Sequence, residues 1–170
     1  MVVSRNQLEI VQDHDSYYEG KYQFLDRFFY YYKGQLFTGK SEDYHSNLNP
    51  KQIVVYKMGL INGLLLDWYE NGQAHREVTY KNGWKHGPFK LWAKNGQKIE
   101  QGENKDGRIS TIQVWKPSGQ ICPITDLKDG SGIVVRYNEF GEKTSSTSYD
   151  NGWRILSDIS DHRIGRNPSF

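Results

Sequence analysis

YKMGLINGLLLDWYENGQAHREVT at 56–79 lies over YKNGWKHGPFKLWAKNGQKIEQGE at 80–103 without a gap. Tyr56, Gly59, Gly63, Trp68, Asn71, Gly72 and Gln73 match Tyr80, Gly83, Gly87, Trp92, Asn95, Gly96 and Gln97, a period of 24 residues. A unit of that length cannot bury its own apolar face, so a chain built this way is a stack of units. Outward from the pair the frame persists. The turn glycines Gly59, Gly83, Gly107, Gly130 and Gly152 step by 24, 24, 23 and 22 residues. A second series, Gly72, Gly96, Gly119 and Gly141, steps by 24, 23 and 22. From each of these to the next glycine of the first series is always 11 residues, so the length changes fall in the other half of the unit. There Gly63 and Gly87 stand four residues past the turn glycine, Thr111 replaces a glycine, and Gly132 follows Gly130 by only two. Upstream, Gly39, Tyr44 and Tyr56 keep the spacing of Gly63, Trp68 and Tyr80. Leu48 stands where that unit's turn glycine would be, and a different turn is expected there.

Two turn signals per unit leave two short segments, and these read as strands. Asn-Gly at 71–72, 82–83, 95–96 and 151–152, with Asp-Gly at 106–107 and 129–130, suits two-residue type I′ hairpin turns, whose central residues both need positive φ. The segments between, FKLWA and QVW among them, carry strand-favouring aromatic and branched residues. The expected fold is all-β: an elongated single-sheet meander of hairpins, some ten strands wide. Hairpin repeats span 39–156, residues 1–38 form Tyr-rich N-terminal cap strands, and 157–170 form a flexible tail. Trp68, Trp92, Trp115 and Tyr137 are expected to make one aromatic row, and Tyr56, Tyr80 and Tyr149 another.

Composition narrows the function. Lys plus Arg is 22 and Asp plus Glu is 20, which gives no support to a nucleic-acid binder with a basic patch. The 36% hydrophobic content is below the globular norm of roughly 45–50%, so the core must be thin and rich in rings. The single Cys122 excludes an internal disulfide, and no run approaches the roughly 18–20 apolar residues of a membrane helix. With no secretory h-region at the N-terminus, a cytoplasmic location is expected. Residues 1–50 carry 5 basic and 7 acidic side chains, the weakly acidic part of the chain.

Enzyme signals are poor. His14, His45, His75, His86 and His162 do not fall at metal-ligand spacing with one another or with Cys122, so no metal, cofactor or catalytic residue is expected. Cys122 reads as a small buried hydrophobe. Glu100 with Glu103, and Asp67 with Glu70, are three residues apart and would face opposite sides of a strand, which argues against acid–base pairs. They read as solvated carboxylates. An open sheet with rows of Trp and Tyr carries what protein interfaces use, large amphipathic area at low entropic cost. The candidate partner-binding residues are therefore Trp68, Trp92, Trp115 and Tyr137, with Asp67, Tyr69 and Glu70 beside them varying between units. The same rings also serve as core in so thin a sheet.

The pattern Y-x-N-G-x-x-x-G-x-x-x-x-W-x-x-N-G-Q at 80–97 resembles the MORN-repeat-variant family, and FFYYYKGQLFTGK at 28–40 looks like the Tyr-rich lead-in to such arrays. The resemblance covers about 39–153, with departures at Thr111, Pro117 and Phe140. It implies a bacterial immunity protein or antitoxin that occludes the active site of a cognate protein toxin encoded beside it. Such a protein is a monomer or a heterodimer with the toxin, without nucleic acid, membrane or cofactor. The family also implies two alternatives, a structural scaffold and a lipid- or glycan-binding module.

Overall fold

The computed structural model describes residues 1–13 and 27–155, and these form strands and tight turns with no α-helix. The N-terminal part contributes β1 (Val2–Val3), β2 (Glu9–Asp13), β3 (Arg27–Tyr32) and β4 (Gln35–Leu36). The hairpin array begins with β5 (Gly39–Tyr44), β6 (Pro50–Lys57), β7 (Leu60–Trp68), β8 (Ala74–Lys81) and β9 (Trp84–Trp92). It continues through β10 (Lys98–Lys105), β11 (Arg108–Val114), β12 (Asp126–Lys128), β13 (Ser131–Tyr137), β14 (Lys143–Asp150) and β15 (Trp153–Arg154). Twelve strands make one open sheet: β5 to β15 pair in sequence order as an antiparallel meander, and β1 adds in parallel against β5. The sheet is wider than expected and is not alone, because β2, β3 and β4 form a separate three-stranded sheet. The tail at 157–170, the YYEG stretch at 17–20, His14 and His162 lie outside the described residues.

The two edges of the ribbon use different turns. Along one edge both central residues have positive φ, as at Asn82–Gly83 (51° and 83°), and the same holds at Met58–Gly59, Asp106–Gly107, Asp129–Gly130 and Asn151–Gly152. These are the expected type I′ turns. Along the other edge only the glycine is left-handed, with φ between 82° and 84° at Gly72, Gly96, Gly119 and Gly141. Asn71–Gly72 and Asn95–Gly96 are therefore not two-residue turns. The N–H of Gly72 donates to the Tyr69 carbonyl and that of Tyr69 to the Gln73 carbonyl, each at 2.9 Å, a three-residue loop closed by a bulge. The same closure recurs at Gly119 and Gly141, which follow Ser118 and Phe140, so the flanking strands set the loop. In the two Asn-Gly loops the Asn Oδ1 supports it by accepting from the N–H two residues on, from Gln73 after Asn71 (3.2 Å) and from Gln97 after Asn95 (3.0 Å). Leu48 breaks the second expectation. Its turn closes like the others, with Leu48 N–H to His45 O at 3.0 Å and His45 N–H to Asn49 O at 2.8 Å, and Leu48 itself takes φ 66°.

The shrinking period has a residue-by-residue cause. Between the pairs Val54↔Leu65 and Tyr56↔Ile61, three residues of β7 face the single Val55, and three residues of β9 likewise face Thr79. In β11 the surplus falls to one residue, Ser110, and β13 runs against β12 with none. Two, two, one and zero extra residues reproduce the steps of 24, 24, 23 and 22. Gly63 and Gly87 sit in the two larger bulges with φ of 119° and 96°, and the smaller bulge tolerates Thr111.

Alternation gives the sheet an inner face. Ser41, Val54, Leu65, Val78, Phe89, Gly102, Ile112 and Leu127 stand opposite one another in successive strands, and all but Gly102 are buried. Burying each large apolar side chain contributes roughly 1.5–3 kcal/mol. At the N-terminal end the rings of Tyr30 and Phe37 pack on Tyr56, with centroids 4.8 and 5.4 Å away, and burial pushes the Tyr56 hydroxyl up to about 12. The Val2–Gln7 segment caps this end of the sheet, with Ser4 Oγ and the Arg5 N–H donating to Asp43 Oδ1 at 2.8 and 2.9 Å. Tyr80 packs against both this aromatic cluster and a second cluster around Phe89, Val114 and Val134.

Candidate functional site

The tryptophan row follows from the register. Trp68, Trp92 and Tyr137 each end a strand at the three-residue-loop edge, and Trp115 follows β11 in a single bridge to Ile121. Each is one step beyond an inward residue and so lies toward the outer face. All four are half-buried. Successive members are two strands apart, about 10 Å, and among the described residues no ring of this row touches another. Lysines stand between them instead: Lys98 Nζ lies 5.1 Å from the Trp115 ring centre and Lys116 Nζ 5.6 Å from that of Tyr137. Tyr56, Tyr80 and Tyr149 belong to the inner face and pack with the core.

The residues flanking the row divide between surface and core. Glu70 is exposed, its carboxylate accepting from Ser46 Oγ at 3.2 Å while its carbonyl accepts from Asn47 and Asn49 Nδ2 at 2.8 and 2.9 Å. Tyr69 donates from its hydroxyl to the Trp92 carbonyl at 2.9 Å and stacks on His75 with centroids 4.5 Å apart. Burial raises the Tyr69 hydroxyl and lowers the His75 imidazole. Asp67 lies on the other face. It is buried there, accepting from Arg76 Nε at 2.6 Å and Gln52 Nε2 at 2.8 Å, and Gln52 in turn accepts from Arg5. Glu100 is buried in the same way against Arg136, Nε to Oε1 at 2.5 Å, whereas Glu103 is exposed. Asp67 and Glu100 are therefore not solvated carboxylates: each is held under the sheet by an arginine that neutralises it, because a buried charge is retained only when paired.

Cys122 is buried, with its Sγ 3.3 Å from Tyr137 Oη and accepting from Thr125 Oγ1 at 3.4 Å. Burial raises this thiol, but the hydrogen bonds from Thr125 and Tyr137 outweigh it and leave the group below its ordinary value. Among the described residues no three or more His, Cys, Asp or Glu side chains converge as a metal site, and no helix is long and apolar enough to cross a membrane. His45 is committed to the Trp68 carbonyl at 2.9 Å, and His86 Nδ1 to Asp106 Oδ1 at 3.0 Å.

Sequence reasoning did not single out Lys94, Lys98 and Lys116. With Trp115, Tyr137, Ile99 and the turn residues around them, they line a hollow of about 280 Å³ at the three-residue-loop edge. The signal is visible only through the register: Lys98 pairs with Trp92 in its own hairpin yet lies over Trp115 of the next. Compared with protein-family models and with curated proteins, the chain matches none.

Proposed function

We propose that this chain is a non-catalytic, MORN-like repeat protein that binds another protein, acting in the cytoplasm as an immunity protein or antitoxin that occludes a cognate toxin's active site. The observation that carries the binding part is the row Trp68, Trp92, Trp115 and Tyr137, half-buried along one edge of an open sheet whose other face already holds the core. Half-buried rings supply contact area with little side-chain entropy left to lose. The toxin-directed part rests on the family resemblance of the 24-residue pattern. Neutralisation at cellular concentrations calls for nanomolar affinity, roughly −12 kcal/mol, from a few anchors rather than the whole sheet.

The test is a pull-down of the tagged chain from its own host with mass spectrometry of the co-purifying protein. One stoichiometric partner, encoded next door, toxic alone and harmless when co-expressed, is the expected result. A neighbour bound only at high micromolar concentration, or no protein partner, would overturn the reading.

A further inference from the structure

Lys94, Lys98 and Lys116 surround the hollow over Trp115, Tyr137 and Ile99, and Glu139 is the only carboxylate in its lining. Five basic groups elsewhere on the sheet have acidic partners: Lys40 with Glu42, Arg76 with Asp67, Lys90 with Glu77, Lys128 with Asp126 and Arg136 with Glu100. Among the described residues none of the three lysines of the hollow has an acidic partner. Lys98 donates one of its three N–H groups to Gln101 Oε1 at 2.8 Å, and both Lys98 and Lys116 are held over ring faces. The result is unneutralised positive charge fixed above an apolar floor.

We infer that this hollow receives an acidic segment of the bound protein, a carboxylate set between Lys98 and Lys116 with an adjacent apolar side chain against Trp115 and Tyr137. The inference rests on the protein-binding reading above and names the chemistry of the partner at that site. The hollow has room for one or two side chains. Nor does the charge continue as a track along the ribbon: the positions equivalent to Lys98 are Ala74, Ile121 and Lys143, and those equivalent to Lys116 are Tyr69, Ala93 and Asn138. A polyanion backbone or a charged membrane needs an extended row of cations, whereas a local charge in an apolar cup fits an acidic side chain with an apolar neighbour.

The probe is the peptide N-acetyl-Asp-Glu-Phe-Asp-Glu-amide, titrated into the full chain and followed by two-dimensional ¹H–¹⁵N NMR. Saturable shifts of the Trp115 indole and the amides of 93–98, 115 and 116 are expected, weakened about tenfold or more in a Lys98→Glu/Lys116→Glu variant. The Lys128→Glu control, on β12 away from the hollow, is expected to bind as the parent does. Unshifted amides elsewhere in the double variant establish that it is folded. Absence of shifts at millimolar peptide, or shifts confined to another surface, overturns the inference. So does Lys98- and Lys116-dependent binding of phosphatidylglycerol vesicles without peptide binding, which would assign the hollow to a membrane. A partner captured in the pull-down that binds the double variant undiminished overturns this inference alone. A failed pull-down overturns the functional reading while leaving the peptide result to stand or fall by itself.

Discussion

Leu48 occupies a conformation its four counterparts leave to glycine. At φ 66° its Cβ crowds the backbone, and the side chain recovers nothing, since it is 81% exposed. The left-handed region costs a branched L-residue about 1–2 kcal/mol, and glycine's extra freedom in the unfolded chain takes back part of that. Leu48→Gly is therefore expected to stabilise the fold by about 0.5–1 kcal/mol, read as a higher urea midpoint at unchanged slope. A lower midpoint would mean that Leu48 makes a contact that outweighs its strain. The turn persists despite the leucine because neighbouring groups hold it: Asn47 and Asn49 both donate to the Glu70 carbonyl of the next loop, and His45 is hydrogen-bonded to Trp68.

At the scale of the hairpin, the type I′ edge is a ladder of main chain on main chain. Gly83 N–H donates to Ile61 O at 2.9 Å, Gly107 to Lys85 O, Gly130 to Ser110 O and Gly152 to Gly130 O, each at 2.8 Å. A Cβ on Gly130 would lie 2.4 Å from the Gly152 nitrogen, with φ already at 80°. Gly130→Ala is expected to cost about 2–4 kcal/mol, from the left-handed backbone together with overpacking. Chemical denaturation measures it, and a loss under about 1 kcal/mol would show that the stacked turns yield easily. Much of this was legible beforehand: the glycine steps announce the hairpins, and their shortening places the length changes in one half of the unit, though not the bulges that absorb them. The turn types were not, because Asn-Gly at 71–72 and at 82–83 is the same dipeptide, separated only by how the flanking strands close around it. Nor was the burial of Asp67 and Glu100 legible. Their arginines stand nine residues away, directly opposite Asp67 in the facing strand, and 36 residues away, three strands along the sheet from Glu100. The lysines around Trp115 escaped for the same reason, since each belongs to a different turn from the ring it covers.

Across the whole molecule the core is two clusters joined through Tyr80. One gathers the N-terminal cap, Tyr30, Phe37, Tyr56 and Leu65; the other runs from Val78 to Val135. In a quasi-one-dimensional array, cooperativity depends on such nearest-neighbour contacts. Tyr80→Ala is expected to destabilise the chain by about 2–4 kcal/mol and to uncouple its halves. Native-state hydrogen exchange would then give β6 and β13 different opening free energies where the parent gives one. Equal values in the variant would mean that backbone pairing alone transmits cooperativity. The main-chain ladder along the glycine edge has a consequence for variation. Because each turn rests on the peptide groups of the one before, the rise from hairpin to hairpin is set by glycine and amide geometry, whatever the outer side chains are. Two chains that share these glycines and differ at every outward position would carry unrelated chemical faces on the same frame, so a new specificity can be acquired without refolding the old scaffold.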